Sequence, residues 1–159
     1  MRKMYERLIT TLAILILVGC SSVQKRNNAQ ALFQKAFALD LSGQSQEALG
    51  LYEKACDNGF YRACYNAGLL HEEPLKKALF FRKGCDHSVA VACYALGQLS
   101  GTIYYQKACE FGYSGGCMEM ARALEKNGRL KEAFAWYRKA CALDDPDGCR
   151  AVAELEQKP

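Results

Sequence analysis

The sequence is poor in the residues that most catalytic or membrane-spanning chains depend on. It has two histidines, one tryptophan and three prolines in 159 residues. Two histidines leave little material for acid–base catalysis or metal ligation, and three prolines exclude a proline-rich linker or recognition tail. Neither charge dominates, because 21 lysines and arginines face 17 aspartates and glutamates. A net charge of +4 without a basic cluster excludes an electrostatic argument for nucleic acid. No apolar run approaches the ~20 residues needed to cross a bilayer as a helix. Walker and dinucleotide fingerprints are absent, as is the C-x-x-C spacing of redox and zinc motifs. What remains is a half-apolar, quarter-charged chain, long enough for one folded domain with a core.

The N-terminus has the order of an export signal. Arg2, Lys3 and Arg7 outnumber Glu6, and the uncharged, mostly aliphatic run Leu8 to Val18 follows. Eleven such residues make a poor membrane anchor and a good signal core. The run ends in Leu17-Val18-Gly19-Cys20, which resembles the bacterial lipobox. The alternative is an ordinary secretory signal in which Cys20 is incidental. The lipobox reading takes residues 1–19 as a lipoprotein signal peptide and Cys20 as the lipidated first residue of the mature chain. Ser21 in second place, rather than an aspartate, favours the outer membrane with the domain facing the periplasm. Two or three acyl chains anchor firmly where one does not. Residues 20–30 read as a polar tether, and 31–159 as the folded domain.

Nine cysteines less Cys20 leave eight, an even number suited to an oxidising compartment. They are Cys56 and Cys64, Cys85 and Cys93, Cys109 and Cys117, Cys141 and Cys149, each pair separated by seven residues. Their surroundings repeat too. Tyr52, Phe81, Tyr105 and Tyr137 stand four residues before the first cysteines, and Lys54, Lys83, Lys107 and Lys139 two before. Gly68, Gly97, Ala121 and Ala153 stand four after the second cysteines. The first cysteines recur every 24 to 32 residues, a helical-repeat period in which aromatic and small positions let neighbouring helices approach.

On one unbroken helix, residues eight apart lie ~12 Å apart along the axis. A disulfide needs Cα atoms within ~7 Å. The chain therefore turns between paired cysteines, and Gly59 and Gly112 sit where a left-handed C-cap is wanted. Asp144-Asp145-Pro146-Asp147-Gly148 supplies the last turn, while the second offers Asp86-His87-Ser88 without a glycine. Of the 105 pairings open to eight cysteines, the periodicity selects 56–64, 85–93, 109–117 and 141–149. Each staples the end of one helix to the start of the next. Zinc is the rival reading, but neither its ligand spacing nor a second histidine pair is present.

Tyr52-Glu53-Lys54-Ala55-Cys56 and Cys93-Tyr94-Ala95-Leu96-Gly97 carry a resemblance. The chain resembles the Sel1-like repeat in its cysteine-rich bacterial form, as in the Helicobacter cysteine-rich proteins. Residues 44–71, 74–99, 101–125 and 129–156 match in turn. The third departs with Cys117-Met118-Glu119-Met120-Ala121, and the link from second to third is tight. The resemblance implies an all-α, right-handed superhelical solenoid of αα-hairpins, like the tetratricopeptide solenoids. Residues 29–42 carry Ala31, Leu32, Phe33, Ala36, Phe37 and Leu39 at helical spacing and read as an N-terminal capping helix. Past Leu155 no further cap is expected, which leaves an apolar stripe as a candidate partner or dimer surface.

No catalytic constellation emerges, and no metal or cofactor is expected. Gly112-Tyr113-Ser114-Gly115-Gly116 spells G-x-S-x-G but fills a turn between cysteines, where a nucleophile elbow needs a preceding strand. Ser22-Val23-Gln24-Lys25 spells S-x-x-K inside the tether, with nothing to hold its geometry. His71 at a helix end and His87 in a turn read as solvated or capping residues. The resemblance also brings penicillin or peptidoglycan binding with slow β-lactam hydrolysis as an alternative activity. The main expectation is an interaction scaffold or adaptor in the bacterial envelope. Its partner would be another envelope protein or a peptidoglycan fragment, and it would touch the membrane through its lipid alone. Tyr61, Arg62, Tyr65, Tyr113 and Arg138 lie off the repeated core positions and are the candidate binding residues. Tyr52, Phe81, Tyr105 and Tyr137 are expected in the core, the recurring lysines on solvated stems, and Trp136 in either place.

Overall fold

The computed structural model describes residues 23–157. The signal segment, Cys20 and the start of the tether lie outside the described residues. Within them the chain forms nine helices and no strand, and no helix is long and apolar enough to cross a membrane. The chain divides between Phe60 and Tyr61 into two compact units.

In the first unit, α1 runs over 23–41 and α2 over Ser45–Asp57. The helix is already formed at 23, so most of the expected tether is helical. Residues 23–30 contain no glycine or proline, and Gln24, Lys25, Arg26, Ala29 and Gln30 are good helix formers. Ala29 is fully buried, which ties this segment to the fold. The turn out of α1 uses Gly43 at φ +82°, and Gln44 N–H donates to the Leu39 carbonyl at 2.9 Å. Phe33 then packs against Tyr52 and Phe60, with ring centroids 5.6 and 4.8 Å apart.

The second unit holds α3 (Arg62–Leu70), α4 (Pro74–Asp86), α5 (Ala90–Ser100), α6 (Thr102–Glu110), α7 (Ser114–Lys126), α8 (Leu130–Ala142) and α9 (Pro146–Glu156). Each helix packs on the next, and α3 also meets α5, which is the stacking of αα-hairpins in a solenoid. Pro74 and Pro146 occupy first-turn positions, where their missing N–H costs nothing. The tight link between the second and third repeats is one residue, Gly101 at φ +105°.

The turns between paired cysteines share one hydrogen-bonding pattern. The left-handed residue always stands three after the first cysteine: Gly59, Ser88, Gly112 and Asp144. In the second unit, Val89, Tyr113 and Asp145 N–H donate back to the carbonyls of Gly84, Ala108 and Ala140 at 2.9–3.1 Å. Phe60 N–H makes the same bond to Ala55 in the first unit. This is the Schellman closure, and it satisfies the carbonyls that a helix end would otherwise orphan. Ser88 and Asp144 supply at φ +62° and +60° the conformation that Gly59 and Gly112 supply in the other two turns.

Three disulfides join helices within hairpins: Cys85–Cys93, Cys109–Cys117 and Cys141–Cys149, with Cα atoms 4.5–4.8 Å apart. Cys56 and Cys64 are disulfide-bonded as well. Two apolar clusters form around the inner bridges. One gathers Phe81, Cys85, Cys93, Leu96 and Ala108; the other gathers Cys117, Met118, Ala121, Leu124, Ala133 and Tyr137. Tyr52, Phe81 and Tyr137 are buried as expected, but Tyr105 is only half-buried. Its ring lies along Gly97 and beside Tyr94 rather than inside a cluster. The stripe expected on the last helix is seated rather than bare, since Ala151, Val152 and Leu155 pack half-buried against the second cluster.

Candidate functional site

On α5, Val91, Tyr94, Ala95, Gln98 and Leu99 recur at intervals of three, one, three and one, which places them on a single face of the helix. On α3, Tyr65 and Leu69 are one turn apart and face the same space. Between these two helices runs a groove of about 420 Å³, floored by Phe81 and Lys77 of α4 and bounded at one end by Tyr113. The Cys85–Cys93 bridge fixes α4 to α5, so floor and wall are covalently held.

The groove is built from aromatic surface. The Tyr65 ring lies 5.8 Å from that of Phe81, and Tyr94 stands edge-on to Tyr113 at 5.0 Å. Leu69 and Leu99 line it while about half exposed, at 51% and 50%. Lys77 is the one charged residue in its lining. Burial holds the Tyr94 phenol above its usual range, with the Glu119 carboxylate and the Tyr113 phenol adding to the effect. A hydrogen bond with Gln98 pulls the other way. Such a phenol stays protonated and free to donate. An apolar slot with phenolic edges and one ammonium suits an apolar or aromatic side chain flanked by carbonyl or carboxylate oxygens.

Of the five residues expected to bind, the structure brings two into this groove, Tyr65 and Tyr113. Tyr61, at the start of α3, instead packs edge-on against His87 in the turn between α4 and α5, with ring centroids 3.5 Å apart. Arg62 and Arg138 are exposed on α3 and α8, outside the groove lining. Tyr65 also packs on the first of the two clusters, so it supports the core as well as the groove. Leu69, Lys77, Tyr94, Gln98 and Leu99 were not anticipated. Tyr94 had a visible signal, since it follows Cys93 as Tyr65 follows Cys64. Ser114 opens α7 directly after the Cys109–Cys117 turn, without the strand that a nucleophile elbow requires. His71 stacks on Phe80 at 4.9 Å. Among the described residues no cluster of metal-ligating side chains occurs.

Charge separates the two rows of helices. The first helices of the hairpins, α4, α6 and α8, carry eight lysines and arginines against Asp86, Glu110 and Glu132. The second helices, α3, α5, α7 and α9, carry four against five acidic residues. On the basic row two of the recurring lysines, Lys107 and Lys139, lie over a ring three residues back. Lys139 Nζ stands 3.8 Å from the Trp136 centroid and Lys107 Nζ 5.8 Å from that of Tyr104.

Solved structures with this architecture include a Sel1 repeat protein from Oxalobacter formigenes, with a TM-score of 0.68 and 20% identity. The match covers 81% of this chain and 62% of that one. The MamA protein aligns at a TM-score of 0.55 and 18% identity, over 76% of this chain and 81% of MamA. A Pseudomonas aeruginosa protein aligns at 0.57 and 19%, over 73% of this chain and 53% of its own. The chain thus spans less than two thirds of the Oxalobacter and Pseudomonas proteins. No family model matches the chain, and no curated protein matches it in sequence. The fold is that of a Sel1-like, tetratricopeptide-type helical repeat.

Proposed function

We propose that this chain is an exported, lipid-anchored envelope protein that acts as an interaction scaffold, holding a partner through the groove between α3 and α5. The observation that carries the reading is the pair of half-exposed leucines, Leu69 and Leu99, over a covalently fixed aromatic floor. Rigid apolar pockets with exposed anchors on a repeat surface are a usual way for such folds to hold a segment of another protein. Lys77 gives the groove a preference for a segment with a carboxylate close to its apolar side chain. Export and anchoring rest on the order of basic segment, apolar run and lipobox up to Cys20.

Photo-crosslinking side chains placed at 69, 99 and 150 in the full chain test the groove in cells. One crosslinked species is expected from 69 and 99 and absent from 150; equal labelling at all three sinks the reading. Leu69→Ser with Leu99→Ser should abolish the crosslink formed from position 98 without moving the thermal midpoint, because both side chains are half in solvent. Cys20→Ala tests the anchor separately. The variant should accumulate as the unprocessed, unacylated precursor, and a variant that stays membrane-bound and is processed as before would remove the lipid.

A further inference from the structure

The three bridges of the second unit differ in access. Cys85 and Cys93 are 1% and 0% exposed, and Cys109 and Cys117 are 6% and 0% exposed. Cys149 is exposed and Cys141 half-buried. Packing explains the difference. The Cys85–Cys93 and Cys109–Cys117 hairpins each have a further helix stacked on them, α6 and α8 respectively, whereas α9 packs on α8 with no described helix beyond it. Around the last bridge Ala142, Leu143, Asp144, Pro146, Asp147 and Arg150 are all exposed, so the approach is open.

We propose that the Cys141–Cys149 bridge is a thiol–disulfide exchange site whose substrate is an external dithiol, while the two inner bridges of this unit are structural. Exchange requires a thiolate to reach a sulfur along the S–S axis, so access decides which bridge reacts. The incoming thiolate attacks the Cys149 sulfur, a new S–S bond forms, and Cys141 departs as a thiolate that takes up a proton. The second thiol of the reductant, as its thiolate, then attacks the mixed disulfide and expels Cys149, which is protonated in turn. Two electrons and two protons pass from the dithiol to the protein, and the reductant leaves as a disulfide. Helix α9 then keeps only noncovalent contacts, the packing of Ala151, Val152 and Leu155 on the second cluster and the close approach of Gly148 to Ala140, and its opening uncovers the cluster around Tyr137 and Leu124. The site is independent of the α3–α5 groove.

The test uses the oxidised full chain with dithiothreitol as the dithiol, quenched at intervals by an alkylating reagent and read by peptide mass spectrometry. Cys141 and Cys149 should be modified at least about tenfold faster than the four inner cysteines. Urea below the unfolding transition should accelerate the inner pairs and leave the 141–149 rate nearly constant. Amide exchange in the singly reduced species should rise over 146–156 and stay unchanged over 74–110. Release of all three pairs at one rate, or a 141–149 rate that rises with urea in step with the others, would show that reduction waits on global opening and would overturn the proposal.

Discussion

The ring of Tyr105 occupies the space where a β-carbon on Gly97 would stand, with Cδ1 2.5 Å from that position. Phe81 meets Gly68 in the same way, at 2.5 Å. The repeated aromatic of one hairpin is thus the knob that fills the repeated small position of the hairpin before it. Helix-to-helix distance along the stack is set there, and the two inner bridges close up the hairpins on either side.

Replacing Gly97 by alanine should therefore destabilise the oxidised protein by about 1–3 kcal/mol, as overpacking does elsewhere. Gly50 on α2 has no atom within 4 Å of a built β-carbon and serves as the control. Gly50→Ala should stabilise by about 0.5–1 kcal/mol through helix propensity. Urea unfolding of both variants checks the pair. Equal effects would mean that the Tyr105 ring has room to step aside.

Ser88 and Asp144 hold φ near +60°, which costs an L-residue about 1–2 kcal/mol. Ser88→Gly should raise stability by roughly 1 kcal/mol, and Gly112→Ala should lower it by a similar amount. A Ser88→Gly variant no more stable than the parent would place the strain elsewhere in the turn.

Tyr137 donates a hydrogen bond to Glu125 Oε2 at 2.7 Å, and its phenol is pushed up to about 12, first by burial and then by that carboxylate. The sign follows from the neutral phenol being the favoured form when folded. Its contribution is complete below pH ~10, where the unfolded phenol begins to ionise, and is lost as pH climbs towards 12. Absorbance titration should show a tyrosinate component near 12 that vanishes in Tyr137→Phe. At neutral pH that variant should lose about 1 kcal/mol with the hydrogen bond. A titration identical in both proteins would refute the assignment.

The Asp145 carboxylate accepts from the N–H groups of Asp147 and Gly148, each at 3.1 Å, and caps α9. Asp145→Ala should cost about 1 kcal/mol and increase amide exchange at the start of α9. Asp145→Asn keeps the acceptor and should recover most of the loss. No recovery would point to the charge, not the cap.

The repeat boundaries were legible because seven-residue gaps, aromatics and small residues all keep one register. The all-α hairpin architecture followed from turns forced between cysteines that one helix could not bring together. The start of α1 was hidden, since the polar residues 24–28 give no amphipathic stripe and helix content there rests on propensity alone. Tyr105 kept its register but not its burial, since its ring lies along Gly97 and beside Tyr94 instead of within a cluster. Position in the repeat told core from surface well. It could not tell which surface residues meet, so Tyr61 and Arg138 looked like equals of Tyr65. The groove joins residues from α3, α4, α5 and the turn before α7, and only the stacking brings them together.

Each of the three bridges closes a loop inside its own hairpin, and none of them links one hairpin to the next. Under a pulling force the load passes through the sulfurs and the residues between them stay slack. Eight extended steps would span ~28 Å, whereas each bridge holds its ends at 4.5–4.8 Å. The three loops together withhold on the order of 70 Å of reach, a difference between oxidised and reduced chains that single-molecule extension can read. A protein gripped at its partner and tethered elsewhere would yield hairpin by hairpin and, while oxidised, would stop short of its full length.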